Sequence, residues 1–332
     1  MSPEAASPEG AAKGDGRSAP LRIGAIDLGT NKCRWIIAEQ RDRALRVLER
    51  GMRVIRLGEG LVTHGRLGDA AMERGLEALR ACARRFARLH VTRHRCVATA
   101  AVRRAVNGRA FLARIAAETG LEFEVPSPEE EARLALRACR PLLGEDAANR
   151  LLLDIGGGST ELVRLVEPGS PWIHSLPTGV VTLAEKAGRR GAAAMRAEVR
   201  ELLGGLTIPP PGDRSRARIL AISDALAALA AVGLDRGIGG EERFAGIELP
   251  FALIAKAARM LASQNPAGQR ADIAAAELPL VLAAAAILAE VAQLWPASRL
   301  VLADRGLHDG ILLELAEGMA EGRDADAGGQ RP

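Results

Sequence analysis

Two glycine-rich segments, each placed directly after an apolar run, are the residues best suited to bind phosphate. They read DLGTN at Asp27–Asn31 and DIGGGST at Asp154–Thr160. Because glycine lacks a Cβ atom, the backbone N–H groups of such a turn can converge on phosphate oxygens. An aspartate at the end of the strand can hold a magnesium ion, or a water on that ion, against the same phosphate. Glycine and asparagine in one loop could simply form a tight turn, but two loops with the same aspartate placement favour a phosphate site.

A carboxylate that could activate water stands in a run of three glutamates at the start of a predicted helix. Ser127 is a good N-cap, Pro128 occupies the favoured first helical position, and Glu130 is the expected capping-box partner. The negative charges of Glu129 and Glu130 also interact favourably with the positive end of the helix dipole. Glu131 has no capping role and could act as a general base, although a third acid answering the dipole is the alternative.

Arginine is concentrated in one part of the chain. Residues 80–114 contain ten arginines and no acid, namely Arg80, Arg84, Arg85, Arg88, Arg93, Arg95, Arg103, Arg104, Arg109 and Arg114. Most of them could form a solvated helix face, while one or two could point into an anion site. Arg103 follows a predicted strand, and a guanidinium there could grip phosphate with two parallel hydrogen bonds.

The elements that must position these residues form a degenerate repeat. Strands are predicted at 21–27, 33–39, 44–50, 96–99 and 121–125, with helices at 69–90 and 107–119, and further strands at 151–155, 161–167 and 172–176. Asp27 and Asp154 each end the first apolar strand of their half. The repeat therefore predicts two similar α/β lobes that face each other across a cleft, with a mostly helical region from residue 192 on.

We accordingly expect a first lobe at 21–142 and a second at 150–316, whose C-terminal helix could dock back on the first. The low-complexity ends, residues 1–20 and 317–332, are expected to be disordered tails. These tails carry a net charge of −3, which leaves +7 on the body of a chain whose total is +4. A modest positive charge suits small anions better than duplex DNA.

Composition excludes several classes of protein. A chain of 332 residues that is 48% hydrophobic can bury two cores, which rules out disorder of the whole chain. With eight aromatic residues and no tyrosine, it lacks the usual stacking platform for single-stranded nucleic acid. Its longest apolar run, Leu278–Ala289, is too short to span a membrane, and four widely spaced cysteines suggest neither disulfides nor zinc. We expect a cytoplasmic protein without nucleic-acid or membrane partners.

Four segments together resemble the exopolyphosphatase / guanosine pentaphosphate phosphohydrolase family. They are the two glycine loops, extended to DIGGGSTEL in the second, with ATAAVRRAVNG at 98–108 and EEEARL at 129–134; further matches lie at 56–61, 175–185 and 302–312. The resemblance runs from about residue 21 to 315. It implies two actin-like (ribonuclease H-like) lobes and Mg²⁺-dependent removal of a terminal phosphate from inorganic polyphosphate, or of the 5′-phosphate from guanosine pentaphosphate. By analogy it also suggests a homodimer.

The resemblance assigns roles to particular residues. Glu131 matches the catalytic glutamate, Asp154 the aspartate that positions metal and water, Gly156–Ser159 the phosphate loop and Arg103 an arginine of the site. Together with the reasoning above, the expected catalytic residues are Glu131 and Asp154, and the expected metal ligands are Asp27, Asp154 and Glu161. The expected substrate-binding residues are Gly29, Thr30, Asn31, Lys32, Arg103, Gly156, Gly157, Gly158, Ser159 and Thr160.

The chain also departs from the family pattern. Residues 221–225 read AISDA where a Gly-Thr-Ser-Gly-Thr loop is usual, and Asp224 there would repel a polyanion unless Mg²⁺ bridged the two. Glu277 stands near a place where the family usually has an arginine, and Lys32 could add a phosphate contact. The principal hypothesis is an exopolyphosphatase, with a guanosine pentaphosphate 5′-phosphatase as one alternative. A catalytically impaired polyphosphate or nucleotide sensor is another.

Overall fold

The computed structural model describes residues 21–41, 44–166, 169–235, 246–263 and 273–328, with side chains described as far as residue 318. The expected tail at 1–20 lies outside the described residues, as do residues 329–332.

The first lobe is built on a five-stranded sheet in the order β3-β2-β1-β4-β5. Its strands are β1 (Leu21–Leu28), β2 (Lys32–Arg41), β3 (Ala44–Val54), β4 (Arg93–Ala98) and β5 (Phe123–Glu124). The first three form an antiparallel meander, whereas β4 runs parallel to β1, and β5 parallel to β4. The apolar run of β1 is buried on both faces because helices cover both sides of this sheet.

The second lobe repeats this topology in a six-stranded sheet with the order β10-β11-β9-β6-β7-β8. Its strands are β6 (Arg150–Ile155), β7 (Thr160–Arg164), β8 (Trp172–Leu176), β9 (Arg218–Ile222), β10 (Glu248–Pro250) and β11 (Arg299–Leu302). Again a meander is followed by two parallel strands, and β10 adds an antiparallel edge. The prediction of two similar actin-like α/β lobes is confirmed.

Eleven α-helices surround the sheets within the described part of the chain. They are α1 (Leu61–His64), α2 (Asp69–Arg88), α3 (Ala100–Arg104), α4 (Gly108–Thr119), α5 (Pro128–Leu143), α6 (Val180–Ala187), α7 (Ala192–Leu202), α8 (Asp224–Gly233), α9 (Phe251–Ser263), α10 (Leu278–Leu294) and α11 (Leu307–Gly328). No helix among the described residues is long and apolar enough to cross a bilayer.

Helix α5 is shared by the two lobes. Leu134 packs with Ile23 and Ile36 of the first sheet, whereas Leu136 and Cys139 pack on the second sheet. The helix therefore holds its N-terminal turn, which carries Glu131, at the junction of the lobes.

The C-terminal helix α11 packs on the first sheet beside α5, with Ile311 and Leu312 buried against Ile23 and Ile36. The expected tail at 317–332 begins inside this helix, which continues to Gly328. The described part of the chain after residue 192 is mostly helical, as expected, but it also contains the strands β9 and β11, which the sequence did not predict. Their short apolar runs are buried in the middle of a sheet, where they show no alternation that would separate them from a buried helix.

Candidate functional site

A cleft of about 360 Å³ lies between the lobes, where both glycine loops meet. It is lined by eight of the predicted substrate-binding residues, namely Gly29, Thr30, Asn31, Lys32, Gly156, Gly157, Gly158 and Ser159. The predicted carboxylates Asp27, Glu131, Asp154 and Glu161 line it as well. A concave site with converging polar groups is the usual form of a small-molecule site.

Of the two repeat-related aspartates in this cleft, Asp27 is buried and Asp154 is half-buried. Asp27 is 7% exposed, and its Oδ1 atom is a buried oxygen without a hydrogen-bond partner in the described part of the chain. Burial raises the pKa of Asp27 to about 6, with Arg34 opposing the rise. Burial likewise raises the pKa of Asp154 to about 7; Arg34 again opposes, while the charges of Asp27 and Glu131 add to the rise. A bound cation would therefore lower the pKa of both carboxyl groups and favour their ionised forms.

Glu131 lies in the first turn of α5 with its side chain buried. The Ser127 hydroxyl accepts the Glu130 N–H at 3.2 Å, so the predicted N-cap forms. The Glu130 carboxylate, however, pairs with Arg95 at 2.8 Å instead of accepting from the Ser127 N–H, as a capping box requires. Burial raises the pKa of Glu131 to about 7, and Arg103 opposes this rise. The carboxylate is therefore close to half-protonated at neutral pH.

Arg103 does not line the cleft, which departs from its expected role as a phosphate ligand. Its Nη1 atom donates to Oε1 of Glu131 and, at 2.9 Å, to the Pro126 carbonyl. The guanidinium thus holds the glutamate carboxylate against the start of α5. An arginine on α3 could not be assigned to this carboxylate from the sequence, because the two residues are 28 positions apart.

Glu161 and Thr160 open β7, but only Glu161 reaches the cleft. Ser175 donates to Oε1 of Glu161 at 2.9 Å. Burial, followed by the charges of Asp154 and Glu131, raises the pKa of Glu161 well above its usual value. Thr160 is fully buried and donates its hydroxyl to the Thr178 carbonyl at 2.7 Å. Its side chain has a structural role in the second sheet and does not line the site.

The glycine loops both form tight turns and line the cleft. Each loop closes a turn by an equivalent bond, from Gly29 N–H to Lys32 O at 2.9 Å and from Gly156 N–H to Ser159 O at 3.0 Å. The loops also touch one another across the lobes. A Cβ atom on Gly157 would lie 2.8 Å from the Cβ of Thr30, so a larger residue there would push the loops apart.

A salt bridge that the sequence did not predict crosses the cleft. Asp224, in the first turn of α8, accepts from Lys32 and, at 2.5 Å, from Nη2 of Arg34 through the same Oδ2 atom. Arg34 was missed although it stands directly opposite Asp27 in the β1–β2 ladder. That register was the available signal, because the side chains of directly paired residues lie on the same face.

Two other parts of the lining were also missed. The turn after β11 contributes Arg305 and the start of α11 contributes His308, in a segment that the resemblance had flagged without a role. Burial lowers the pKa of His308 to about 4, so its imidazole is neutral at pH 7. The second is an apolar wall, formed by Ala227, Ala228, Ala231, Leu280 and Val281.

Five of the ten arginines between residues 80 and 114 form ion pairs outside the cleft, namely Arg80, Arg85, Arg88, Arg95 and Arg114. Arg80 and Arg114 bind Glu73 and Glu118, and Arg95 binds three glutamates. None of the ten lines the cleft, whose arginines are Arg34 and Arg305. The local excess of arginine therefore supports surface ion pairing more than phosphate binding.

The carboxylate oxygens in the cleft could supply some, but not all, of the ligands of a cation such as Mg²⁺. In the ranges that the structure covers, no cluster of three or more His, Cys, Asp or Glu side chains is arranged to hold a metal. Magnesium usually takes one or two carboxylates and completes its shell with water and phosphate oxygens. The unsatisfied Oδ1 of Asp27, near Asp154, fits such an incomplete set.

Comparison with known proteins agrees with this architecture. The model of the Ppx/GppA phosphatase family matches residues 36–203. A Ppx/GppA enzyme from Aquifex aeolicus is similar at 25% identity and a TM-score of 0.73, over 89% of this chain and 100% of that one. An exopolyphosphatase-like protein is similar at 25% identity and a TM-score of 0.79, over 90% and 100%. An exopolyphosphatase from Cytophaga hutchinsonii shares the fold at 21% identity and a TM-score of 0.77, over 90% and 98%.

Proposed function

The chain belongs to the Ppx/GppA phosphatase family, and from this premise we propose that it is an exopolyphosphatase. In this proposal it uses Mg²⁺ and water to release terminal orthophosphate from inorganic polyphosphate. One observation carries the proposal: the buried Glu131 carboxylate faces the same cleft as Asp27, Asp154 and the paired glycine loops. A base, a cation site and a phosphate cradle are the parts that such a hydrolysis needs.

Glu131 is proposed as the general base. It takes a proton from a water molecule, the water oxygen forms a bond to the terminal phosphorus, and the bridging P–O bond breaks. The products are orthophosphate and a chain shorter by one phosphate. A pKa of about 7 suits this role, because a base is most effective when its pKa lies near the working pH. Arg103 orients the carboxylate from outside the cleft.

The remaining residues bind and orient the phosphate chain. Backbone N–H groups of Gly157–Ser159 and of Thr30–Asn31 are proposed to donate to its oxygens, with Arg305 as a charged partner. Asp27 and Asp154, with Glu161 behind them, would hold Mg²⁺, which when bound neutralises charge on the phosphoryl group. Since burial raises the pKa of both aspartates, the cation would also favour their ionised state.

Substituting Glu131→Gln tests the assignment. We expect release of orthophosphate from polyphosphate to fall by at least about 10²-fold, the low end of general-base contributions, because the amide cannot accept the proton. Binding of polyphosphate, measured by calorimetry, should be retained. Glu130→Gln is the matched control, since Glu130 lies on the same helix turn but pairs with Arg95. An unimpaired Glu131→Gln enzyme would sink the assignment.

The substrates themselves separate the remaining possibilities. Purified protein with Mg²⁺ should release phosphate from long-chain polyphosphate faster than from guanosine pentaphosphate or ATP. Release from none of the three, with binding retained, would indicate a sensor rather than an enzyme.

Guanosine pentaphosphate 5′-phosphatase is the second candidate, and one feature of the cleft favours it. The apolar wall of α8 and α10 offers a surface against which a purine ring could pack without aromatic stacking. Glu277 beside this wall could accept hydrogen bonds from the guanine N1–H and 2-amino groups. A kcat/KM for the pentaphosphate that exceeds the value for polyphosphate would select this candidate.

A further inference from the structure

The salt bridge across the cleft joins charges that belong to different lobes. Lys32 and Arg34 lie on β2 of the first lobe, and Asp224 begins α8 of the second. The side chains are 12%, 23% and 29% exposed, so the contact is partly shielded from water. Such shielding makes the interaction stronger than an ordinary surface ion pair.

These three residues line the phosphate cleft itself. The charges of Arg34 and Asp224 reach the buried aspartates, because Arg34 lowers and Asp224 raises the pKa values of Asp27 and Asp154. The two cations therefore stand where a phosphate chain on the glycine loops would meet the first lobe. In this structure both donate to Oδ2 of Asp224 instead.

We propose that Asp224 is an internal competitor for the substrate, an intramolecular carboxylate that holds Lys32 and Arg34 until a phosphate chain displaces it. The proposal rests on the proposed function in taking a chain of phosphates as the ligand. A carboxylate carries one charge, whereas a terminal phosphate in a chain offers more charge and more acceptor oxygens to the same donors. Asp224 thereby weakens binding of anions and selects those with enough charge to displace it.

A bridge that merely fastened the lobes together would behave differently when removed. Loss of a structural tie loosens the cleft and weakens the binding of its ligand. Loss of a competitor removes the carboxylate to which Lys32 and Arg34 donate, and strengthens binding. The sign of the change in affinity therefore separates the two roles.

The test measures binding of tripolyphosphate by calorimetry, in a Glu131→Gln background so that the ligand is not consumed. Asp224→Asn should lower Kd about tenfold, the order expected for hydrogen bonds to charged groups. Asp224→Ser provides a second variant that keeps a good residue for the start of α8. Thermal denaturation of each variant checks that it folds. An unchanged or higher Kd in both folded variants would overturn the proposal.

Glu277→Gln is the matched control. Glu277 lines the same cleft, so this substitution removes one negative charge while Lys32 and Arg34 stay paired with Asp224. We expect a clearly smaller gain in affinity from this variant; an equal gain would show a general charge effect and overturn the proposal. Adding Lys32→Gln should weaken binding more when Asp224 is replaced than when it is present.

The outcome is separable from that of the proposed function. Tighter binding in the Asp224 variants, together with no phosphate release by the chain with Glu131 intact, would leave the competitor standing and reject the hydrolase. Phosphate release without tighter binding would do the reverse. Absence of tripolyphosphate binding by every variant would reject both.

Discussion

At the scale of single residues, the pair of Arg103 and Glu131 explains how a buried carboxylate can be kept partly ionised. Burial alone would drive the pKa of Glu131 upward, and the guanidinium limits that rise to about 7. The arginine also fixes one oxygen of the carboxylate through its bond to Oε1. Arg103 is therefore a positioning residue in the proposed reaction, with an effect on both geometry and ionisation.

Replacing Arg103 should shift the pH dependence of the reaction. Without the guanidinium, the pKa of Glu131 rises further, so a larger fraction of the base is protonated at pH 7. We expect kcat of Arg103→Gln to fall several-fold at pH 7 and to recover as the pH is raised. The measurement is kcat against pH from 5.5 to 9, with Arg103→Lys as the charge-preserving control. A loss that is equal at every pH, or a loss confined to KM, would instead favour the original assignment to phosphate.

Glu131 was predictable from sequence, whereas its partner was not. Assigning Ser127 to the N-cap and Glu130 to a capping box left Glu131 without a local function, although only the N-cap forms; that reasoning needs only the spacing within one helix turn. The contact with Arg103 depends on how α3 and α5 pack, which no local spacing specifies. Asp224 shows the same limit of sequence reasoning. Its negative charge could be read from the sequence, but the two cations that pair with it belong to the other lobe.

At the scale of elements, close packing between the two glycine loops restricts which residues they can contain, in addition to any demand made by the proposed phosphate chain. Gly157 faces Thr30 and the backbone of Asn31, and Gly158 faces Thr30 and Ala100. In each case the space that a Cβ atom would need is already filled. The loops meet so closely that the cleft floor is formed from both lobes at once.

Gly157→Ala should therefore destabilise the protein and impair the site. Its new methyl carbon would lie 2.8 Å from the Cβ of Thr30, which requires the loops to separate. Overpacking of this kind costs about 1–3 kcal/mol of the free energy of unfolding. Thermal denaturation and phosphate release are the two measurements. Gly318→Ala is the matched control, because its Cβ would meet nothing within 4 Å; it should leave phosphate release unchanged and should not destabilise the protein, since alanine is the better helix former.

Much of the element pattern could also be predicted, and the failures have a common cause. The meander strands and α2 have clear flanking turns or helical periodicity, and their bounds match within a few residues. The strands β9 and β11 are short and almost wholly buried, in a stretch rich in alanine and leucine. Composition there favours helix, and pairing with the neighbouring strands β6 and β11 makes β9 a strand.

At the scale of the whole molecule, three kinds of contact join the lobes around the cleft. Helix α5 packs on both sheets. The Glu185 carboxylate accepts from the N–H groups of Gly60 at 2.5 Å and Val62 at 3.2 Å, which links α6 to the start of α1. Asp224 bridges to β2 from the opposite lobe. The arrangement holds several carboxyl groups close together and partly buried, and that has a cost in stability.

The free energy of unfolding should carry this cost as a dependence on pH. The pKa of Glu131 is raised from 4.5 to about 7 in the folded protein, so the native state keeps a proton that the unfolded chain releases. The contribution of Glu131 to stability is therefore fully present below pH 4.5 and is lost as the pH rises through 7. The shift corresponds to about 3 kcal/mol once Glu131 is fully ionised. Asp154, with its pKa raised from 3.8 to about 7, acts in the same direction.

Glu131→Gln removes this ionisation, so its melting temperature should exceed that of the unsubstituted protein by an increasing margin between pH 5 and pH 8. The comparison is made in EDTA, since a cation bound at Asp27 and Asp154 would itself offset the burial of charge. Glu73→Gln is the control, because Glu73 is exposed and its pKa is lowered by Arg80 and Arg114. Its margin should stay flat over the same range, since Glu73 is ionised throughout in both states. A margin for Glu131→Gln that is equally flat would mean that the buried carboxylate is not held near neutrality. The base proposed for hydrolysis would then lack the raised pKa that makes it an effective proton acceptor near pH 7.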